Sequence, residues 1–138
     1  MSKIHFELTT PERIVFKEEI DQITLPTKEG EITILPNHIP LVAVLVPGMA
    51  TLIKNGVESY VAVSGGFIEV RPGSRVIVLA DTAERAEELD LKKIEEAHAR
   101  AVQALTEKRH ADDVSFADVA VGLERELARL KVARKKHH

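Results

Sequence analysis

Proline and glycine are confined almost entirely to the first part of this chain. All six prolines and six of the seven glycines lie at or before position 73, and from Ala86 onward Gly122 is the sole glycine. Both residue types interrupt helices, so the first part is poorly suited to long helices and the second part permits them. We therefore predict two units, residues 1–85 and residues 86–138, with different folds.

The first unit has the pattern of a β-sheet domain. Ile4, Phe6 and Leu8 alternate with polar residues, as in a strand with one buried face. Comparable runs follow at 20–25, 32–35, 49–53, 57–63, 67–70 and 75–80, with glycine- or proline-containing turns between them. Asn55-Gly56 is the clearest hairpin turn, because a type I′ turn requires a positive φ at both positions. Many short strands at this spacing predict a β-sandwich or barrel.

The second unit has the pattern of an antiparallel helical hairpin. Asp90 is placed to cap a first helix, and Ser115 to cap a second after a polar link at 108–113. The predicted inward stripes are Leu91, Ile94, Ala97 or His98, Ala101 and Leu105, then Phe116, Ala120, Leu123, Leu127 and Leu130. Two such helices bury little area alone, so the hairpin should depend on the first unit or on another protein.

Several kinds of chemistry are excluded or unsupported. The chain has no cysteine, no glycine-rich phosphate loop and no HExxH spacing among its six histidines, and its net charge of −3 argues against nucleic-acid binding. We predict no metal site and no required cofactor; His137 and His138 leave open an adventitious metal site or a cloning remnant. The longest apolar run, 41–46, is too short to cross a bilayer, so membrane association should go through partner proteins.

Five segments carry a resemblance to a known family. They are Thr-Pro-Glu-Arg at 10–13, Gly-Glu-Ile-Thr-Ile-Leu-Pro-Asn-His-Ile-Pro-Leu at 30–41, Pro-Gly-Met at 47–49, Ser-Gly-Gly-Phe-Ile-Glu-Val at 64–70 and Val-Leu-Ala-Asp-Thr-Ala at 78–83. In this order, and followed by a helical hairpin, they resemble the epsilon subunit of bacterial F-type rotary ATP synthase. The resemblance extends over essentially the whole chain.

The resemblance implies a fold, a function and a location. It implies a ten-stranded β-sandwich that binds the gamma subunit and rests on the membrane rotor ring of c subunits, with Glu29, Gly30, Glu31 and His38 at the ring contact. The chain would have no catalytic site. It would couple gamma to the ring in a proton- or sodium-translocating ATP synthase, peripheral on the cytoplasmic side of the bacterial cytoplasmic membrane.

The resemblance also implies roles for the hairpin. In the family the helices either fold against the sandwich or extend along gamma toward the catalytic alpha/beta hexamer, where basic residues meet acidic ones and resist ATP hydrolysis. The basic residues Arg129, Arg134, Lys135 and Lys136 match that region. Some members bind ATP on the first helix through aliphatic-Asp-x-x-Arg-Ala. Asp90 and Arg100 match that pattern, but Lys93 and Ile94 depart from it, so ATP would be at most a weak regulatory ligand.

Two other interpretations of the sequence remain open. One is a free-standing ligand sensor made of a β-sandwich and a helical lid. The other is a small hydrolase that uses Ser64, which precedes Gly65-Gly66 but lacks the GxSxG elbow. Co-purification with a large membrane ATPase would separate the stalk subunit from both.

Overall fold

The computed structural model describes the backbone of residues 2–108 and 113–136, and the side chains of residues 2–104 and 122–135. Ten strands come first: β1 (Ile4–Thr9), β2 (Ile14–Ile20), β3 (Gln22–Thr27), β4 (Gly30–Ile34), β5 (Leu41–Leu45), β6 (Gly48–Lys54), β7 (Val57–Val63), β8 (Gly66–Arg71), β9 (Arg75–Ala80) and β10 (Ala83–Arg85). A 3-10 turn at Ala86–Glu88 leads into the helices α1 (Leu91–Lys108) and α2 (Asp113–Lys136). The predicted fold class, a ten-stranded β-sandwich followed by a helical hairpin, is confirmed.

The strands form one sheet that folds over on itself. Their order is β10-β7-β6-β3-β5-β8-β9-β1-β2, with β4 paired to β3 outside this path. Only the Thr27–Leu45 pair joins β3 to β5, and the sheet changes layer there. Every strand contributes to one buried apolar cluster, whose largest fully buried members include Phe6, Leu8 and Ile23. The sandwich therefore has a continuous core of its own.

The two strands at the ends of this order, β10 and β2, meet at a seam closed by arginine side chains. The Arg85 guanidinium donates through Nε to the carbonyl of Val15 at 3.1 Å and lies 3.8 Å from the centre of the Phe16 ring. From the β2 side of the seam, Arg13 donates to the carbonyl of Ala83, a residue of β10, at 3.2 Å. Side-chain donors thus satisfy edge carbonyls that another strand would otherwise satisfy.

Two turns illustrate how the sequence fixes the backbone. Asn55 and Gly56 have φ values of 53° and 79°, which confirms the predicted type I′ turn between β6 and β7. Gly66 has a φ of 155°, and a Cβ atom added there would lie 1.9 Å from the carbonyl oxygen of Leu79. Close approach of β8 to β9 therefore requires glycine at position 66.

The residues of strand β2 do not alternate strictly between apolar and polar. For that reason the sequence pattern predicted no strand there. Leu8 pairs with Phe16 and Thr9 pairs with Ile14, so Val15 is an extra residue in the ladder, a β-bulge. As a result Val15 and Phe16 are both buried although they are adjacent. The run predicted at 20–25 is also divided, because Asp21 separates β2 from β3 and accepts a hydrogen bond from the Asn55 amide at 2.6 Å.

The hairpin lies on the outer face of β6 and β7. A second apolar cluster joins sandwich residues to the helices: Met49, Tyr60, Ala62, Ala86, Leu89, Leu91, Ile94, Leu130, Val132 and Ala133. Asp90 caps α1 as predicted, since its carboxylate accepts the Lys93 amide at 3.3 Å. The docked hairpin therefore depends on the sandwich for much of its apolar burial.

Two predictions for the second helix were wrong. It begins at Asp113, so Ser115 lies inside the helix and is not its cap. Leu127 was expected on the inward stripe, but 47% of it is exposed, whereas Ala128, Val132 and Ala133 are buried. The helix packs against both α1 and the sandwich. Its buried surface is therefore wider than the single predicted stripe and is rotated around the helix axis relative to that stripe.

Candidate functional site

The turn between β3 and β4 presents Glu29, Gly30 and Glu31 to solvent. The Thr27 hydroxyl donates to the Gly30 carbonyl at 2.5 Å and accepts the Glu29 amide at 3.2 Å, which closes the turn on itself. Gly30 has a φ of 111°, a conformation that residues with a side chain rarely adopt. The turn is polar, exposed and fixed in shape.

The loop at 35–40 is also fixed. The Asn37 amide donates to the Ser74 hydroxyl at 2.7 Å, and Asn37 has a positive φ of 66°. His38 is half-buried, and its Nδ1 lies 2.7 Å from the carbonyl of Ile39, which itself is 75% exposed. The loop leads directly into β5, so it and the β3–β4 turn border the same strand.

The outward face of β5, β8 and β9 carries exposed apolar residues at the end that Val44, Phe67 and Leu79 occupy, next to the Glu69–Arg71 ion pair; we call this apolar part the open apolar face. Val44 pairs with Phe67 and Phe67 pairs with Leu79, so the three side chains form one row across the strands. Val42 extends the row along β5, and the four residues are between 44% and 71% exposed. The apolar run at 41–46 is visible in the sequence, but its exposure is not.

A shallow depression connects the open apolar face to the β3–β4 turn. It has a volume of about 500 Å³ and lies between Lys28 and Glu29 on one side and Leu41 to Val44 and Phe67 on the other. The structure therefore places two of the predicted features, the turn and the apolar run, side by side. Contiguous exposed apolar surface of this kind is characteristic of protein interfaces.

The predicted nucleotide residues lie at the start of α1. Asp90, Lys93 and Arg100 are all exposed, and the Asp90 carboxylate is engaged in capping the helix. The neighbouring depression is acidic, with Glu87, Glu88, Asp90 and Glu95 among its lining residues. Ile94 is only 2% exposed and belongs to the apolar cluster under the hairpin, so it does not border an open site. Four carboxylates therefore border the start of α1.

The basic residues of α2 fall into two groups. Arg134 and Lys135 are exposed and, with Leu127, Leu130 and Lys131, line a groove of about 530 Å³. Arg129 instead faces the sandwich, where it forms ion pairs with Glu84 at 2.7 Å and Glu126 at 3.0 Å. Lys136 ends the helix, and its side chain, like His137 and His138, lies outside the described part of the structure.

The pKa of Arg129 reflects these surroundings. Burial alone would lower the pKa of the guanidinium, but attraction and hydrogen bonding to Glu84, followed by Glu126, outweigh burial and raise it. The two carboxylates therefore stabilise the charged guanidinium in its partly buried position. The sequence did not identify Glu84, Arg85 and Glu88 as candidate site residues. Their partners lie far away in the chain, so no local spacing of residues indicates the contacts.

Ser64 has a structural role. Its oxygen accepts hydrogen bonds from the Thr82 amide at 2.9 Å and hydroxyl at 2.7 Å, and the residue is 4% exposed. These bonds tie the β7–β8 link to the chain entering β10, so the hydrolase reading gains no support. Among the residues that the structure describes, no His, Cys, Asp or Glu group could hold a metal ion, and no helix is long and apolar enough to span a membrane.

Known proteins are similar to this chain along almost its whole length. The family model described as ATP synthase, Delta/Epsilon chain, beta-sandwich domain matches residues 3–86. The ATP synthase epsilon chain of Herpetosiphon aurantiacus is 46% identical over 131 residues, which cover 95% of this chain and 94% of the relative. The chain belongs to the ATP synthase epsilon chain family.

Other comparisons agree with this family. The ATP synthase epsilon chain of Dehalococcoides mccartyi strain CBDB1 is 45% identical over 137 residues, 99% of this chain and 96% of the relative. Among solved structures, a chain of the Euglena gracilis mitochondrial ATP synthase OSCP/F1/c-ring assembly superposes with a TM-score of 0.81 at 24% identity, covering 100% of this chain and 83% of that one. The latter match concerns the fold alone.

Proposed function

We propose that this chain is a non-catalytic subunit of the central stalk of a bacterial rotary ATP synthase, where it joins the gamma subunit to the membrane rotor ring. It would lie peripherally on the cytoplasmic side of the membrane. The observation that carries the proposal is the open apolar face, which a stalk partner would cover. Family membership supports the assignment independently, because the relatives named epsilon chain match along nearly their whole length.

Gamma is the partner we assign to the open apolar face. Val42, Val44, Phe67 and Leu79 present apolar side chains on paired strands, so binding would order few additional groups. The face belongs to β5, β8 and β9, whereas the hairpin covers β6 and β7. A partner on the open apolar face and a docked hairpin could therefore coexist.

Replacing Phe67 with glutamate should weaken gamma binding, because an aromatic contact is lost and an unpaired charge is placed in the interface. We expect at least a thirtyfold rise in Kd, about 2 kcal/mol, measured by calorimetric titration with purified gamma. Val57→Glu is the matched control, since Val57 is 66% exposed but lies at the β6–β7 turn. Equal affinity of Phe67→Glu and wild type, with both folded, would contradict the assignment.

The rotor ring is the partner we assign to the β3–β4 turn and the 35–40 loop. The β3–β4 turn is polar, and both segments are held in shape by hydrogen bonds, so docking them costs little conformational entropy. Glu29, Gly30 and Glu31 are exposed, and His38 is half-buried beside Ile39. The resemblance to the family motif at 30–41 motivates the choice of partner.

Cysteines introduced at Glu31 and His38 should form cross-links with the polar loops of the ring in the assembled enzyme, since the native chain has no cysteine to interfere. A cysteine at Phe67 serves as the control and should cross-link to gamma. Success of the control together with failure at both 31 and 38 would remove the ring assignment.

ATP, if it binds the isolated chain, should bind weakly. Lysine offers a point charge where the family pattern has the planar fork of arginine, and acidic side chains surround the start of α1. We expect Lys93→Arg to increase affinity by roughly tenfold to a hundredfold, the scale of one charged hydrogen bond, in a calorimetric titration. Lys92→Arg is the matched control. Ile94 should be left intact, because truncating it would open a cavity in the buried cluster. Tight wild-type binding that Lys93→Arg does not change would refute this proposal.

A further inference from the structure

Three residues other than glycine have a positive φ in the described part of the chain: Asn37, Asn55 and Ser74. Asn55 belongs to the type I′ turn between β6 and β7, and asparagine in general adopts a positive φ more readily than most residues with a side chain. Ser74, in the turn between β8 and β9, has a φ of 57°, a value that glycine would adopt with less strain. The reason for a serine at this position therefore lies in its side chain.

The Ser74 side chain binds the middle of the 35–40 loop. The Asn37 amide donates to the Ser74 hydroxyl oxygen at 2.7 Å, and the hydroxyl donates in turn to the Asn37 side-chain oxygen at 3.3 Å. Ser74 is only 8% exposed, so water competes little for these bonds. We call this pair of hydrogen bonds the Ser74 clasp.

The loop also has a hydrogen bond of its own. The His38 amide donates to the carbonyl of Leu35 at 3.2 Å, which closes a turn with Pro36 and Asn37 as its two central residues. This bond sets the shape of the turn but not its position on the sandwich, since both partners belong to the loop. Among the hydrogen bonds of the described residues, those of the Ser74 clasp join the middle of the loop to another part of the chain.

Ser74 is itself anchored to the sheet. Its carbonyl accepts the His5 amide at 2.8 Å, which ties it to β1, and it directly precedes β9. Strand β9 pairs with β1 on one side and with β8 on the other. Strands β8 and β9 carry Phe67 and Leu79 of the open apolar face. One serine therefore connects the loop assigned to the ring with two of the strands assigned to gamma.

We propose that Ser74 is a positioning residue for the ring contact: its hydroxyl holds Asn37, and with it His38, in a fixed place relative to β8 and β9. The inference rests on the proposed function for its consequence, because the position of the loop matters only if the loop touches the ring. The clasp itself is a property of the chain alone. It makes the loop move with the sandwich as one body, so a force at the ring contact is transmitted to the strands of the open apolar face.

Hydrogen exchange of the Asn37 amide tests the clasp in the isolated full-length chain. Ser74→Gly removes the hydroxyl but keeps a residue that adopts the positive φ, so the turn is not strained further. We expect the Asn37 amide to exchange about five to ten times faster than in wild type, the scale of one hydrogen bond. Exchange at the wild-type rate in the folded variant would overturn the proposal.

Two matched variants separate the hydrogen bonds of the clasp from general effects of substitution. Ser74→Asn supplies an acceptor and a donor on a residue that also adopts a positive φ, and should keep exchange slow. Thr33→Val removes an exposed hydroxyl that bonds to Thr24 between β3 and β4, and should leave the Asn37 amide unchanged. Exchange as fast as in Ser74→Gly, in either of these variants, would contradict the proposal.

Binding to purified rotor rings tests the consequence of the clasp. The Kd of the gamma-bound chain for the ring should rise severalfold in Ser74→Gly, because a loop that is not fixed in advance must be ordered on docking. The Kd for gamma should stay the same, which a general loss of structure would not allow. Wild-type affinity of Ser74→Gly for the ring, with cysteines at 31 and 38 cross-linking to the ring, would overturn the positioning role.

The cross-links distinguish failure of this inference from failure of the ring assignment. Faster exchange of the Asn37 amide in Ser74→Gly, together with no cross-link from 31 or 38 to the ring, would support the clasp and contradict the ring assignment. Faster exchange, weaker ring binding and intact cross-links in the wild-type background would support both.

Discussion

The hydrogen bond from the Arg85 guanidinium to the carbonyl of Val15 holds the last strand of the sandwich in place. Strand β10 has only three residues, and it forms a ladder with β7 on one side alone. Arg85, resting on the Phe16 ring, fixes its other side to β2. Since β10 leads straight into the exit turn and α1, the position of this one strand decides where the hairpin begins. It also places Glu84 where α2 can reach it.

The two outer faces of the sandwich have different physical roles. The face of β6 and β7 is covered by the hairpin through apolar residues such as Ala62, Leu130 and Ala133. The face of β5, β8 and β9 keeps large apolar residues exposed, which costs solubility unless a partner covers them. In the proposed stalk, the first face would hold a removable element and the second a lasting partner. The inner core lies between the two faces.

Local sequence predicted the features that depend on local physics. The Asn55-Gly56 turn and the Asp90 cap follow from backbone conformation and short-range hydrogen bonds, and the structure confirms both. The bulge at Val15 and the exposure of Leu127 depend on neighbours distant in the chain. Strand alternation therefore did not predict the first, and helical spacing predicted the second wrongly. For the same reason Arg129 was recognised as a basic residue of interest while its partner Glu84 was not.

The most direct measurement of the proposed function compares the assembled ATP synthase carrying the full chain with one carrying residues 1–85. The sandwich core draws on all ten strands without the helices, so the shortened chain should fold and still join gamma to the ring. The account predicts that ATP-driven ion pumping persists and that ATP hydrolysis rises when the hairpin is absent. Unchanged hydrolysis would contradict the inhibitory role, and loss of pumping with the shortened chain bound would contradict a coupling role confined to the sandwich.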